Sequence, residues 1–380
     1  MRKQTFRILA TATVLLTLLQ LFPYCLGATY STSYEFLDHP NGSTHYRLNV
    51  VVSQSLQEYY YAKSHFLNSE NEFDKFVTPY ALQPIADSLR QVYTDDEDFT
   101  NGALMIVHQI PYEQTTPPLY PVETMVDNKG DCDLFSFIAA SIIKAGGLDV
   151  LLLYYEQEAH MNIGVSLPSQ PRDARGDIIY VTNNNIKYYM AECTGGNWQD
   201  GWRVGECPDE LRDAGAQIIL LDGYEQTSTG QVSASFANLA VATLTLTSST
   251  AYIIQSSTAT LSGHLSPSMQ DKTVTLYVRV NNSPWQVLGT VTTDASGHFD
   301  YIWNMEAGGI WHVRASWSGD DYYAAADSPI RTITSLSSFF VMLIAITVIL
   351  VVIGTIAYVA ARRNNQSIPE PQPPEIPYYQ

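Results

Sequence analysis

The chain is 380 residues long, 46% hydrophobic and 15% charged, a profile that excludes disordered, collagen-like and coiled-coil classes and allows more than one compact domain. Three cations and no acid precede residue 28, and Arg362 and Arg363 offset Glu370 and Glu375 after residue 335, so the formal charge of −18 becomes −21 over residues 28–335. A surface of that sign repels phosphate backbones, which argues against nucleic acid as a partner and suits an exposed, soluble exterior.

Ile8 to Leu26 form an uncharged apolar run between a basic start and the small residues Gly27 and Ala28. This is the pattern of a signal peptide or N-terminal anchor over residues 1–27. Tyr30 to Phe36 and Tyr46 to Ser53 read as strands joined by the turn residues His39 to Ser43, a hairpin at the start of a domain spanning 28–236. Asn41-Gly42-Ser43 and Asn281-Asn282-Ser283 fit glycosylation acceptors and are consistent with export. Between residues 70 and 110, Phe73, Phe76, Val77, Leu82, Ile85, Leu89 and Val92 recur at helical steps. The acidic run Asp95 to Asp98 reads as a solvated loop, since no spaced ligand pattern surrounds it, and no metal is expected.

Cysteine counting sharpens the reading. With Cys25 inside the first apolar run, Cys132, Cys193 and Cys207 face an oxidising exterior, an odd number that leaves one thiol over. Cys193 and Cys207 flank a turn-rich stretch, and a bridge between them would add about 3 kcal/mol in the loop-entropy model. That pairing leaves Cys132 free. Gly130-Asp131 makes a turn before the apolar run Leu134 to Ala145, which ends at Gly146-Gly147, so Cys132 is expected at the first turn of a buried helix. Unpaired N–H groups and the helix dipole favour thiolate over thiol there and can help hold an oxyanion.

A thiolate needs a proton partner. Val150 to Tyr155 reads as a buried strand, His160 opens a second one, and Ile186 to Cys193 forms a third with Glu192 near its end. Neighbouring antiparallel strands would bring Glu192 beside His160, giving nucleophile, general base and orienting carboxylate in the order Cys132, His160, Glu192. Gln109 is a candidate second oxyanion donor and equally a buried turn residue; His108 is a weaker candidate base.

Tyr120-Pro121-Val122-Glu123-Thr124, Gly130-Asp131-Cys132-Asp133, Gly147-Leu148-Asp149-Val150, His160, Tyr188 to Thr194 and Gly201 to Glu206 together resemble the transglutaminase-like superfamily over roughly residues 70–210. The resemblance implies a papain-like α+β core whose Cys, His and acid triad transfers acyl groups from amides, with Cys132, His160 and Glu192 in those roles. Many members carry Asp where this chain has Glu192, and cysteines at 193 and 207 are not part of the family's pattern.

From about residue 238 to 334, short alternating stretches at 243–247, 258–262, 273–280, 286–291, 299–303 and 311–317 are separated by turn signals, the pattern of an antiparallel β-sandwich. The stretch resembles immunoglobulin-like modules of microbial surface proteins. Residues 336–361 carry no charge and are long enough to cross a bilayer of about 30 Å, with Arg362 and Arg363 as the stop. Residues 362–380 are then a cytoplasmic, Pro-rich tail. The expectation is an α+β papain-like transglutaminase core, an Ig-like sandwich and a C-terminal transmembrane helix. It predicts a single-pass cell-membrane protein with its main domains outside, acting on a protein or peptide substrate without a cofactor. The rival is a catalytically silent surface binding or adhesion protein with the same fold.

Overall fold

The computed structural model describes residues 28–39, 42–227 and 229–365. The expected N-terminal signal, Asn41 of the first glycosylation triplet and most of the Pro-rich tail lie outside the described residues. Alternating apolar positions pair β1 (Thr29–Leu37) with β2 (His45–Ser53) antiparallel, from Thr29 opposite Ser53 to Leu37 opposite His45. α1 (Gln54–Tyr61) starts directly after β2, with the Ser53 hydroxyl accepting from the Leu56 N–H at 3.2 Å.

A 3₁₀ turn at Glu70–Phe76 leads to α2 (Pro79–Val92), which opens on a proline whose missing N–H costs nothing at that position. α3 (Asp96–Val107) corrects one expectation: the acidic run is a helix start, not a solvated loop. Asp95 accepts from the N–H groups of Glu97 and Asp98 at 3.0 and 3.3 Å, and three carboxylates in the first turn complement the positive end of the helix dipole. α4 (Pro121–Asp127) and α5 (Cys132–Ala145) complete the helical layer.

Five antiparallel strands follow: β3 (Val150–Tyr155), β4 (His160–Val165), β5 (Tyr180–Asn183), β6 (Ile186–Ala191) and β7 (Gln217–Ile219), in the order β5-β6-β4-β3-β7. One sheet face packs on the helices through Leu152, Met161, Ile163 and Ala191, which join Ile138, Ile142, Phe76 and Phe99 in the main core. The other face holds a smaller cluster of Leu151, Leu153, Tyr155, Tyr188 and Met190. Each fully buried large apolar side chain contributes about 1.5–3 kcal/mol. β8 (Ser233–Ser235) pairs with β2 and returns the chain to the N-terminal hairpin.

The second unit is two packed sheets. β9 (Thr243–Ser248), β10 (Tyr252–Ile254), β11 (Thr258–Ser266), β12 (Thr273–Val280), β13 (Gln286–Thr292), β14 (His298–Asn304), β15 (Gly309–Trp317), β16 (Ala326–Asp327) and β17 (Arg331–Leu336) form the layers β10-β17-β15-β12-β13 and β14-β11-β9. Inward residues of both layers, among them Leu246, Leu261, Leu276, Trp303, Val313 and Ile333, make one core. Polar contacts join this unit to the first. Arg314 Nη2 lies 2.8 Å from Glu58 Oε2, Asp327 Oδ2 accepts the Ser55 N–H at 2.8 Å, and Ser316 Oγ meets Ser53 Oγ at 3.1 Å. α6 (Ser338–Asn365) is not buried by any described residue over its apolar stretch and is, over Ser338–Arg362, long and apolar enough to cross a membrane.

Candidate active site

Cys132 is the first residue of α5, where backbone bonds fix the preceding loop. Gly130 donates its N–H to Pro111 O at 3.2 Å and accepts from the Glu113 N–H at 2.6 Å, while Asp131 Oδ2 accepts from the Thr115 N–H at 2.7 Å. Asp131 is the N-cap yet its side chain makes no capping bond to the first-turn N–H groups, and the Asp133 carboxyl bonds the backbone of Asp133 and Leu134 instead. Ser136, one turn further, lies 2.7 Å from Cys132 O and 3.1 Å from Met161 O and joins α5 to β4. The sulfur is partly exposed and points toward the turn before β4, 3.9 Å from Ala159 O.

β4 and β6 pair with Ile163 opposite Ala191, which sets Asn162 opposite Glu192. Because side chains alternate along a strand, His160, Asn162 and Glu192 share one face. His160 Nε2 is 2.9 Å from Glu192 Oε2, and Asn162 Nδ2 donates to the same oxygen at 3.3 Å. Thr194 holds Glu192 Oε1 through its N–H at 2.8 Å and its hydroxyl. His108, buried in the core, reaches the Glu192 carbonyl with Nε2 at 3.0 Å. Glu192 has no exposed surface and is gripped at both carboxylate oxygens and at its backbone. The imidazole also lies within interaction range of the Cys132 sulfur.

Burial disfavours a charged His160 ring, but the hydrogen bonds and charges of Cys132 and Glu192 outweigh it and raise the imidazole to about 10. Burial likewise pushes the Glu192 carboxyl up, and the bonds and charge from His160 and the bonds from Thr194 leave it below the ordinary carboxylate range. His108 is displaced the other way, lowered by burial, and stands neutral. It holds Glu192 rather than serving as a base. The Asp133 carboxyl is pushed up to about 8 by burial and by its hydrogen bond and charge repulsion with Asp131. The phenols of Tyr112 and Tyr154 lie within electrostatic range of both the sulfur and Asp133.

The structure thus brings Cys132, His160 and Glu192 together in the expected order and sets two other expectations aside. Gln109 is not available as an oxyanion donor, because its amide N–H groups bond Glu35 O and Met105 O at 2.9 and 2.8 Å and its oxygen accepts from the Glu35 N–H. Cys193 and Cys207 are free thiols, not a disulfide. Cys193 continues the face of Tyr189 and Ala191 into the main core, whereas Cys207 packs with Tyr188 and Met190 on the other face, so the sheet separates them. His108, expected as a weaker candidate base, instead binds the Glu192 carbonyl, and Asn162 and Thr194 are the residues that sequence reasoning left out. Asn162 was the most accessible of them, sitting two positions after His160 on the same strand face. No group of three or more His, Cys, Asp or Glu among the described residues is placed to hold a metal.

No family model and no curated protein matches this chain. Among solved structures, a chitin-binding domain from Burkholderia pseudomallei is 12% identical with a TM-score of 0.19, covering 22% of this chain and 56% of its own. BslA, a bacterial hydrophobin, is 14% identical with a TM-score of 0.18, covering 27% of this chain and 100% of its own. The chain therefore spans little more than half of the first of these, and overlap at such scores leaves the functional reading to the site itself.

Proposed function

We propose that the protein is a membrane-anchored cysteine enzyme of transglutaminase-like, papain-like type that acts on peptide or glutamine amides through a thioester. The observation that carries this reading is the continuous chain from the Cys132 sulfur at a helix N-terminus, through the His160 ring, to a buried Glu192 whose oxygens are held by Asn162 and Thr194.

In the proposed reaction the Cys132 thiolate attacks the amide carbonyl carbon, and the charge that develops on the carbonyl oxygen is met by the Cys132 N–H at the start of α5. As the C–N bond breaks, the His160 imidazolium gives its proton to the departing amine and leaves a thioester on the sulfur. Water or a second amine then attacks the thioester. The neutral His160 takes the attacker's proton, and the thiolate departs with the imidazolium restored. Glu192 keeps the ring oriented and offsets its charge throughout.

The anchor is α6, with Arg362 and Arg363 on the cytoplasmic side and both folded units outside. The Ig-like sandwich then serves as the spacer between membrane and enzyme.

The test incubates the full chain in nanodiscs with a labelled primary amine and a glutamine-rich unfolded protein, scoring amine incorporation, cleavage and a covalent acyl adduct on Cys132 by mass spectrometry. Turnover with an adduct, both abolished by Cys132→Ala, is the expected result. Activity that survives Cys132→Ala would remove the reading.

A further inference from the structure

We propose that the end of the sandwich next to α6 is a lipid-contact surface, seated in the headgroup layer through Ile254 with Tyr252 and Ile310 at its margin. The proposal rests on α6 being a membrane span.

The junction between the sandwich and α6 has no slack. β17 ends at Leu336 and α6 begins at Ser338, so Ser337 is the whole linker. It is also held in place: Ser337 caps α6, its hydroxyl accepting from the Phe340 N–H at 3.2 Å and its carbonyl from the Val341 N–H at 3.1 Å. On one side the Gln255 N–H donates to Leu336 O at 2.9 Å. On the other, a Cβ on Gly308 would stand 3.1 Å from the Ser337 Cβ, so the β14–β15 loop packs against the junction. A strand advances about 3.3 Å per residue, which puts Leu336 within about 7 Å of the start of the span. The headgroup zone on each side of a bilayer is about 5–7 Å deep, so this end of the sandwich cannot stand clear of it.

Strand register places apolar side chains at that height. Ile254 lies opposite Leu336, Tyr252 lies opposite Thr334, and Ile310 lies opposite Thr334 from the other side. Cross-strand partners share a face, so Tyr252 and Ile310 form one row with Ile254 beneath them. Tyr252, Ile310 and Ile254 are 73%, 48% and 47% exposed among the described residues.

Charge is sparse at this end. On a molecule carrying −21 over residues 28–335, Glu306 is the only charged residue in the loops at this end, 249–251, 255–257, 281–285 and 305–308. The opposite end, at Ser316 and Ser318, contacts Ser53 and Gln231 of the first unit. The order is therefore bilayer, sandwich, catalytic unit, and seating Ile254 in the interface fixes the height of Cys132 above the membrane.

The experiment uses the full chain with Cys25→Ser and Cys132→Ser, carrying a single spin label at Ile254→Cys, Ile310→Cys, Val241→Cys or Ile346→Cys, in phosphatidylcholine nanodiscs. Power saturation compares collisions with oxygen, which concentrates in lipid, and with a water-soluble nickel chelate. Expected are a severalfold higher oxygen-to-nickel ratio at 254 than at the far-end residue 241, an intermediate ratio at 310 and the highest at 346. A lipid-like 346 with 254 as aqueous as 241 would overturn the contact while leaving the span intact. Low access of both reagents at 254 would mean a protein partner covers it and would also overturn the proposal. An aqueous 346 would remove the span and the contact together.

Discussion

Glu192 Oε2 stands 2.9 Å from His160 Nε2, with no exposed carboxylate surface and Asn162 and Thr194 holding its oxygens. This carboxylate cannot swing away, so its charge is a fixed part of the imidazole's surroundings. Glu192→Gln keeps the shape and removes the charge. The imidazole then falls from about 10, and turnover drops roughly 10²–10⁴-fold, the range for disabling an acid–base partner. The pH profile of Cys132 alkylation checks the first outcome without a known substrate: its upper inflection moves to lower pH in the variant. An unmoved inflection would show that Glu192 does not set the ring's charge.

The same pair makes a pH-dependent contribution to stability. His160 is raised in the folded state, so its contribution is complete below its unfolded value of 6.5 and fades as pH rises through about 10. Glu192 is lowered, so its contribution is present above 4.5 and fades as pH falls toward its folded value. Urea denaturation of wild type and His160→Asn should therefore differ most between about pH 4.5 and 6.5. The difference narrows toward pH 10.

Cys132, Cys193 and Cys207 should separate cleanly by reactivity. Cys193 has no exposed surface and burial raises its thiol well above the usual range; burial also pushes Cys207 up to about 12. Brief treatment of native protein with iodoacetamide near pH 7 should label Cys132 and leave the other two, and denaturation should expose all three. Because Cys193 and Cys207 lie on opposite sheet faces, a reductant should leave the melting temperature unchanged. A reductant-dependent drop would restore the bridge expected from their spacing.

Asp133 follows Cys132 directly and is raised to about 8 by burial and by Asp131, so it keeps its proton to higher pH than an ordinary carboxyl. A raised carboxyl binds more protons in the native state than in the unfolded state, so stability falls as pH climbs from about 4 to about 8. Asp133→Asn keeps a donor toward Asp131 and cannot ionise. It should stabilise the protein more at pH 8.5 than at pH 5, and it should remove any step near pH 8 from the alkylation profile of Cys132. Equal stability shifts at both pH values would mean Asp133 is already ionised.

Most of the candidate site was legible because it depends on local pattern. An apolar run marked β3, alternation marked β4, the Gly130-Asp131 turn before an apolar run marked the start of α5, and together with the third strand they put Cys132, His160 and Glu192 at element ends. What failed depended on which way side chains face in three dimensions. The spacing of Cys193 and Cys207 fits a bridge, but spacing does not report that a sheet lies between them. Gln109 had the right chemistry for an oxyanion donor, yet β1 claims its amide through Glu35. The supports of Glu192 were missed for the same reason: Asn162 and Thr194 are ordinary polar residues until the β4–β6 register sets them around one carboxylate. β10, with three residues, was too short to show a period.

The last expectation concerns how the two folded units hold together. Arg314 belongs to the sandwich, is 1% exposed, and bonds Glu58 of the first unit at 2.8 Å while its guanidinium lies 4.7 Å from the centre of the Trp285 ring. Nearby, Asp327 reaches across to the Ser55 N–H in the first turn of α1, where a carboxylate is favoured by the helix dipole. Removing one member of a buried ion pair strands the other, at a cost of about 3–5 kcal/mol. Glu58, with its side chain 30% exposed, can recover some solvation, so Arg314→Ala should fall toward the lower end of that range. The more telling readout is cooperativity. If these contacts couple the units, calorimetry of wild type shows one unfolding transition of the soluble portion and Arg314→Ala splits it into two. A double mutant with Glu58→Ala should then cost much less than the sum of the single changes, since the two residues act on the same contact. Two transitions in the wild type, or additive losses, would mean that the sandwich and the first unit fold independently and that this interface does not fix the position of Cys132 relative to the sandwich.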